Sequence, residues 1–203
     1  VLALQLVWAR RLTAGLGQDW SFLKNMPKPF PCGVVLNPVI EAALALRAEA
    51  GFDAGRIAGI GIAGCELLLA RADRPNARLP RDLQVCAQHC VSAALVRGRF
   101  GPAEVDAVAA ADPAIAALRA LVEAMQIDAK LGVDDARVTL RMADGRVLIR
   151  TVVNAAGSLT RPLGKADLAA KLVAQCGDAA ESGRLLAALD GIWTDVPLAR
   201  LCG

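Results

Sequence analysis

The sequence predicts an α+β fold: a small mixed helix-and-sheet unit that carries an antiparallel hairpin. Within 136–153, two runs of alternating polarity are joined by Ala143-Asp144-Gly145, and Asp-Gly between such runs is a strong hairpin cue. Segments rich in Ala, Leu and Val, with helix start and stop residues, lie on both sides of that hairpin. A third alternating stretch, 56–64, stands among those helices. Strands and helices are therefore interspersed and part of the sheet is antiparallel, which together point to α+β.

In chain order, residues 1–15 read as a helix and 16–33 as a loop rich in Gly and Pro. A helix is expected from about Pro38 to Ala50, closed by Gly51. Asn37 is suited to cap it, and Pro38 fits its first turn. Residues 56–64, RIAGIGIAG, alternate as a strand, and 70–80 are polar and loop-like. Asp82 opens a helix that Gly98 ends. The Asp112-Pro113 pair starts another at 112–124. Beyond the hairpin, a loop at 154–164 leads to helices at 165–177 and about 180–190. No internal repeat is present.

Composition narrows the function classes. A chain of 203 residues buries one good core with room for a smaller appended lobe. It is 55% hydrophobic but only 3% aromatic and has no Tyr, so Ala, Leu and Val carry the hydrophobicity and favour helices packed through small side chains. The net charge is +3 and the basic residues are scattered without interleaved aromatics, which argues against a nucleic-acid partner. Six cysteines form no CxxC pair and read as reduced, mostly buried thiols of a cytoplasmic protein. In the opening VLALQLVWARR the charges follow the apolar stretch, which is too short to span a bilayer. It reads as a helix separated from its packing partner, with no membrane role.

Residues 28–45, KPFPCGVVLNPVIEAALA, carry the most chemistry. Lys28 supplies one cation, and Pro29 and Pro31 keep the approach extended. Gly33 is read as allowing a backbone geometry closed to other residues. The following helix would point its positive end at the same loop, a layout suited to gripping carboxylates.

This segment resembles the core signature of the MmgE/PrpD family, which includes 2-methylcitrate dehydratase, cis-aconitate decarboxylase and iminodisuccinate epimerase. Further matches follow in the family's order: DLQVCAQHCVSAALVRG at 82–98, ADPAIAAL at 111–118, DGRV at 144–147 and GSLTRPLGKADLAAKL at 157–172. Together they cover roughly residues 16 to 190. The resemblance implies the C-terminal half of a two-domain enzyme more than twice this length. It also implies that residues 1–27 end a helical domain, 28–153 form a lid-like α+β domain, and 154–203 return as helices to the helical domain. That helical region supplies further acid and histidine residues in the family. A chain beginning with Val fits a fragment or a processed form.

The implied activity is a lyase acting on a small di- or tricarboxylic acid, with no metal or other cofactor and a homodimeric assembly that needs the missing helical region. The implied catalytic residues are His89 and Lys28. Lys28, Cys32, Gly33, Asn37 and Cys86 would form the substrate-binding wall, with the Gly33 N–H open to an oxyanion. His89 is the only histidine, and three readings of it stay open. It could join Cys86 and Cys90 in a zinc site, sit in the core beside buried thiols, or face substrate as a proton carrier. Asn37 departs from the histidine that many members carry before this proline, and Gln84-Val85-Cys86 departs from the usual Lys-Phe-Ser. The GxGxxG at Gly59–Gly64 lies inside a strand and lacks a dinucleotide-binding context; its small residues are read as room for close helix packing. A catalytically silent binding or subunit module, pairing with a separate helical chain, is the alternative from a different class.

Overall fold

The computed structural model describes residues 13–191. Most of the helix expected over 1–15 lies outside the described residues. The architecture is α+β, with a four-stranded mixed sheet of order β2-β1-β3-β4. Its strands are β1 (Ile57–Gly64), β2 (Gln126–Ile127), β3 (Ala136–Met142) and β4 (Val147–Val152). β1 pairs antiparallel with β3, β3 antiparallel with β4, and β1 parallel with the short β2.

The hairpin forms as its chemistry dictates. Gly145 takes φ +87°, which an L side chain resists, and Asp144 accepts from the Arg146 N–H, so the turn closes on itself. Alternation then fixes the faces. On β3, Ala136, Val138, Leu140 and Met142 are buried while Arg137, Thr139 and Arg141 point the other way.

α1 (Asn37–Arg47) lies across β3 and β4 and buries Val39, Ile40, Ala43 and Leu46. α4 (Ala87–Arg97) packs behind α1, and α6 (Pro113–Ala120) packs on α4. Nearly every residue of α4 is buried, and its side chains are small: Ala87, Cys90, Ser92, Ala93 and Ala94. This is the use to which the Ala-rich composition is put. Burying one Leu or Ile side chain at the α1–sheet contact stabilises by about 1.5–3 kcal/mol.

Several boundaries differ from expectation. α1 stops at Arg47, a turn carries the chain on, and Gly51 reverses it at φ +72°. The helix expected over 82–98 is two pieces, α3 (Pro80–Leu83) and α4, with Cys86 as the N-cap of the second and Gly98 at φ +69° ending it. α6 begins as read, with the Asp112 carboxylate accepting from Ala114 and Ile115, but it ends at Ala120 because Val122 bridges to β1. α2 (Glu66–Ala72), α5 (Ala107–Ala111) and β2 had no clear signal. The last helices are α7 (Lys165–Cys176) and α8 (Ala179–Gly191), which pack on each other.

The glycines of the GxGxxG run all lie within β1. A Cβ at Gly64 would come within 2.4 Å of Leu68 Cδ2 on α2, so here a small residue does admit a helix. Gly59 and Gly61 face Arg141 and Thr139 of β3 instead.

Candidate functional site

The site is built around the loop of Pro27, Pro29 and Pro31. Prolines fix φ but donate no hydrogen bond, so beyond a Cys32 N–H to Phe30 carbonyl turn this loop leans on its neighbours. Four contacts hold it. Phe30 packs edge-on to Phe100, with ring centroids 6.0 Å apart. The Gly33 N–H donates to the Gln84 carbonyl at 2.8 Å, joining the loop to the α3–α4 junction. Gly157, at φ +83°, lies so close that a Cβ there would meet the Pro27 oxygen at 2.7 Å. The Lys171 ammonium donates to the Lys28 carbonyl at 2.6 Å.

Lys28 itself is exposed, and its Nζ donates to the Cys32 carbonyl at 3.3 Å. Its carbonyl is held by Lys171, and its ammonium turns back onto the loop's own Cys32 carbonyl while the side chain as a whole stays exposed. Cys32 is buried and its thiol donates to Asn37 Oδ1 at 3.6 Å. Burial pushes the Cys32 thiol up to about 12, against a smaller opposing pull from Lys28, so it is a thiol and not a nucleophile at neutral pH.

Two backbone expectations for this wall are corrected. Gly33 adopts φ −58° and ψ 135°, open to any residue, and a Cβ there would make only an ordinary contact with Val85. Its N–H is committed to Gln84 and is not open to an oxyanion. Asn37 does not cap α1: a 3-10 turn at Val34–Leu36 runs straight into the helix, Leu36 holds the N-cap position, and Asn37 is already helical at φ −53°. With the cap position occupied by backbone already in helical conformation, the buried amide turns to Cys32 instead.

His89 and Cys86 sit deeper. The His89 ring is fully buried, and its Nε2 lies 2.7 Å from the Glu104 carbonyl, so Nε2 carries the proton. Among the described residues neither Nδ1, the bare acceptor, nor the buried Ser92 hydroxyl one turn on has a partner. Burial lowers the His89 pKa, opposed by the bond to Glu104, so the ring is held neutral. Cys86 accepts from the His89 N–H and donates to the Arg74 carbonyl, and burial raises its pKa. Cys90, whose pKa burial drives upward with Cys32 and Cys86 nearby, donates to the Leu83 carbonyl. Cys86, Cys90 and the His89 Nε2 each bond a backbone group, all three residues lie inside the core behind the loop wall, and among the described residues no group of three His, Cys, Asp or Glu is arranged to hold a metal.

The loop wall thus brings together Lys28, Cys32 and Asn37, with Cys86 and His89 behind it at the start of α4. Sequence reasoning missed the residues that support it. Glu41 on α1 accepts from the Ala156 N–H and pairs with Arg161, which donates onward to the Asn154 carbonyl. Glu104 is buried, pairs with Arg99 and accepts from the Gly101 N–H. The only signal for the first pair was Arg161 beside Pro162 in the 157–172 stretch.

With that geometry described, the chain can be set beside known proteins. The family model of the MmgE/PrpD C-terminal domain matches residues 30–193. Lys28 lies two residues before the matched span. No curated protein matches the chain. Among the described residues no helix is long and apolar enough to cross a membrane.

Proposed function

The chain belongs to the MmgE/PrpD family through its C-terminal domain, and from that membership we propose that it grips a small di- or tricarboxylic acid through Lys28 as part of a lyase of the 2-methylcitrate dehydratase kind. The observation that supports this is the held loop: Lys171 takes the Lys28 carbonyl and Gly157 closes on Pro27 and Pro29, while the exposed Lys28 side chain keeps its ammonium on the Cys32 carbonyl, ready to exchange it for a carboxylate. A hydrogen bond between charged groups of this kind contributes about 1.5–3 kcal/mol, against the rotamer freedom the lysine gives up.

Dehydration, decarboxylation and epimerisation beside a carboxylate share this anchoring step. Dehydration and epimerisation also need a base for the carbon acid, decarboxylation instead needs an acid to protonate the carbanion left when CO2 departs, and all three need a group to stabilise enolate-like charge. In our reading Lys28 anchors and neutralises, Cys32 and Asn37 shape the wall, and His89 holds the Glu104 segment in place from the core. The base then comes from the helical region that the family adds. Exposed apolar side chains on α7 and α8, among them Leu168, Val173 and Leu189, together with Trp20 and Phe22, support a helical body packing there. A homodimer completed by that body is the working assembly we infer.

Isothermal titration with 2-methylcitrate, cis-aconitate and citrate tests the reading. Binding by the wild type that weakens about tenfold or more in Lys28→Ala is the expected result. The sealed His89 ring favours a second reading, a catalytically silent subunit, in which turnover appears only after a separate helical chain is added.

A further inference from the structure

The Pro loop and the 157–172 stretch are far apart in sequence yet meet at one point. The Lys171 ammonium, on α7, donates to the carbonyl of Lys28 across 143 positions. Gly157 closes against Pro27 and Pro29 from the same segment, and Arg161 fastens that segment to Glu41 on α1. Lys28 stands between Pro27 and Pro29, so within Pro27–Pro29 only its own N–H can donate and the segment is held mainly through its carbonyl acceptors. Lys171 occupies the carbonyl of Lys28 itself.

We propose that Lys171 is a positioning residue that sets where the Lys28 cation stands. The inference rests on the reading of Lys28 as a carboxylate anchor. Lys171 acts through the backbone: its charge is directed at a carbonyl of the loop, and its own contact with substrate is not required. The chemistry needs a donor at the end of a long side chain, so an arginine at 171 retains the function and a methionine, of similar length without a donor, does not. Losing the contact releases the loop from one side while Phe30 and Gly33 still hold it from the other.

Hydrogen exchange and titration of the full chain test this together. In Lys171→Met, peptides spanning 28–36 should exchange faster while the rest of the sheet and α4 keep their wild-type rates. Citrate affinity should fall about tenfold. Lys171→Arg should restore both, a rescue that general destabilisation would not give. Exchange in 28–36 that stays at the wild-type rate in Lys171→Met overturns the inference, whatever citrate does. If the wild type fails to bind citrate while Lys171→Met still loosens 28–36 and Lys171→Arg tightens it again, the positioning contact stands and the anchor reading of Lys28 falls.

Discussion

At the scale of single residues, caps and turns are set by the backbone groups beside them. Asp112 caps α6 and Gly145 turns the hairpin because each needs only its immediate neighbours. Asn37 and Gly33 misled for the opposite reason: a 3-10 turn inserted between them changes what both positions require, and nothing in VVL announces it. The glycines therefore separate by experiment. Gly33→Ala should leave thermal stability within about 0.5 kcal/mol of wild type. Gly157→Ala, at φ +83° and against the Pro27 oxygen, should cost about 1–2 kcal/mol or more, read as a lowered urea midpoint. The pH dependence belongs to His89. Its folded pKa is lowered, so above about pH 6.5 it is neutral in both states and its contribution is whole; as pH falls toward the folded value, the unfolded chain takes the proton first and stability is lost. A lower urea midpoint at pH 5 than at pH 7.5, flattened in His89→Gln, is the expected outcome.

At the scale of elements, strands and the larger helices followed from alternation and from Gly and Asp punctuation, whereas short helices and the break before α4 did not. Residues 84–86 contain neither Gly nor Pro, and the break is made by one tertiary bond, the Gln84 carbonyl accepting from the Gly33 N–H, and one local cap, the Cys86 sulfur accepting from the His89 N–H. The same packing sorts the thiols. Cys32, Cys86 and Cys90 are buried with raised pKa values, Cys65 is half-buried and Cys176 exposed. Among the described cysteines, iodoacetamide at pH 7.5 should modify Cys176 first and Cys65 more slowly, with Cys32, Cys86 and Cys90 reacting only as the fold opens; peptide mass mapping over time checks the order. The clamp on the 154–164 loop gives a further expectation. Glu41→Gln removes the charge that Arg161 meets and weakens the bond to the Ala156 N–H, and it should cost about 0.5–1.5 kcal/mol, with faster exchange confined to that loop.

At the scale of the molecule, the family and the α+β class were legible because five motif stretches keep their order, yet the contacts that make a site of them were not. Lys28 to Lys171 and Glu41 to Arg161 span 143 and 120 positions, distances over which spacing along the chain carries no information. What these contacts produce is a loop held from several sides that carries the exposed Lys28, and the account depends on its ammonium meeting a carboxylate. The chain has five lysines, few enough to resolve one by one after reductive ¹³C-methylation. Citrate added to the labelled protein should shift the Lys28 resonance in a saturable way and leave Lys24 and Lys130 in place. A Lys28 signal that stays fixed while citrate binds elsewhere, or no saturable shift at any lysine, would contradict the carboxylate anchor.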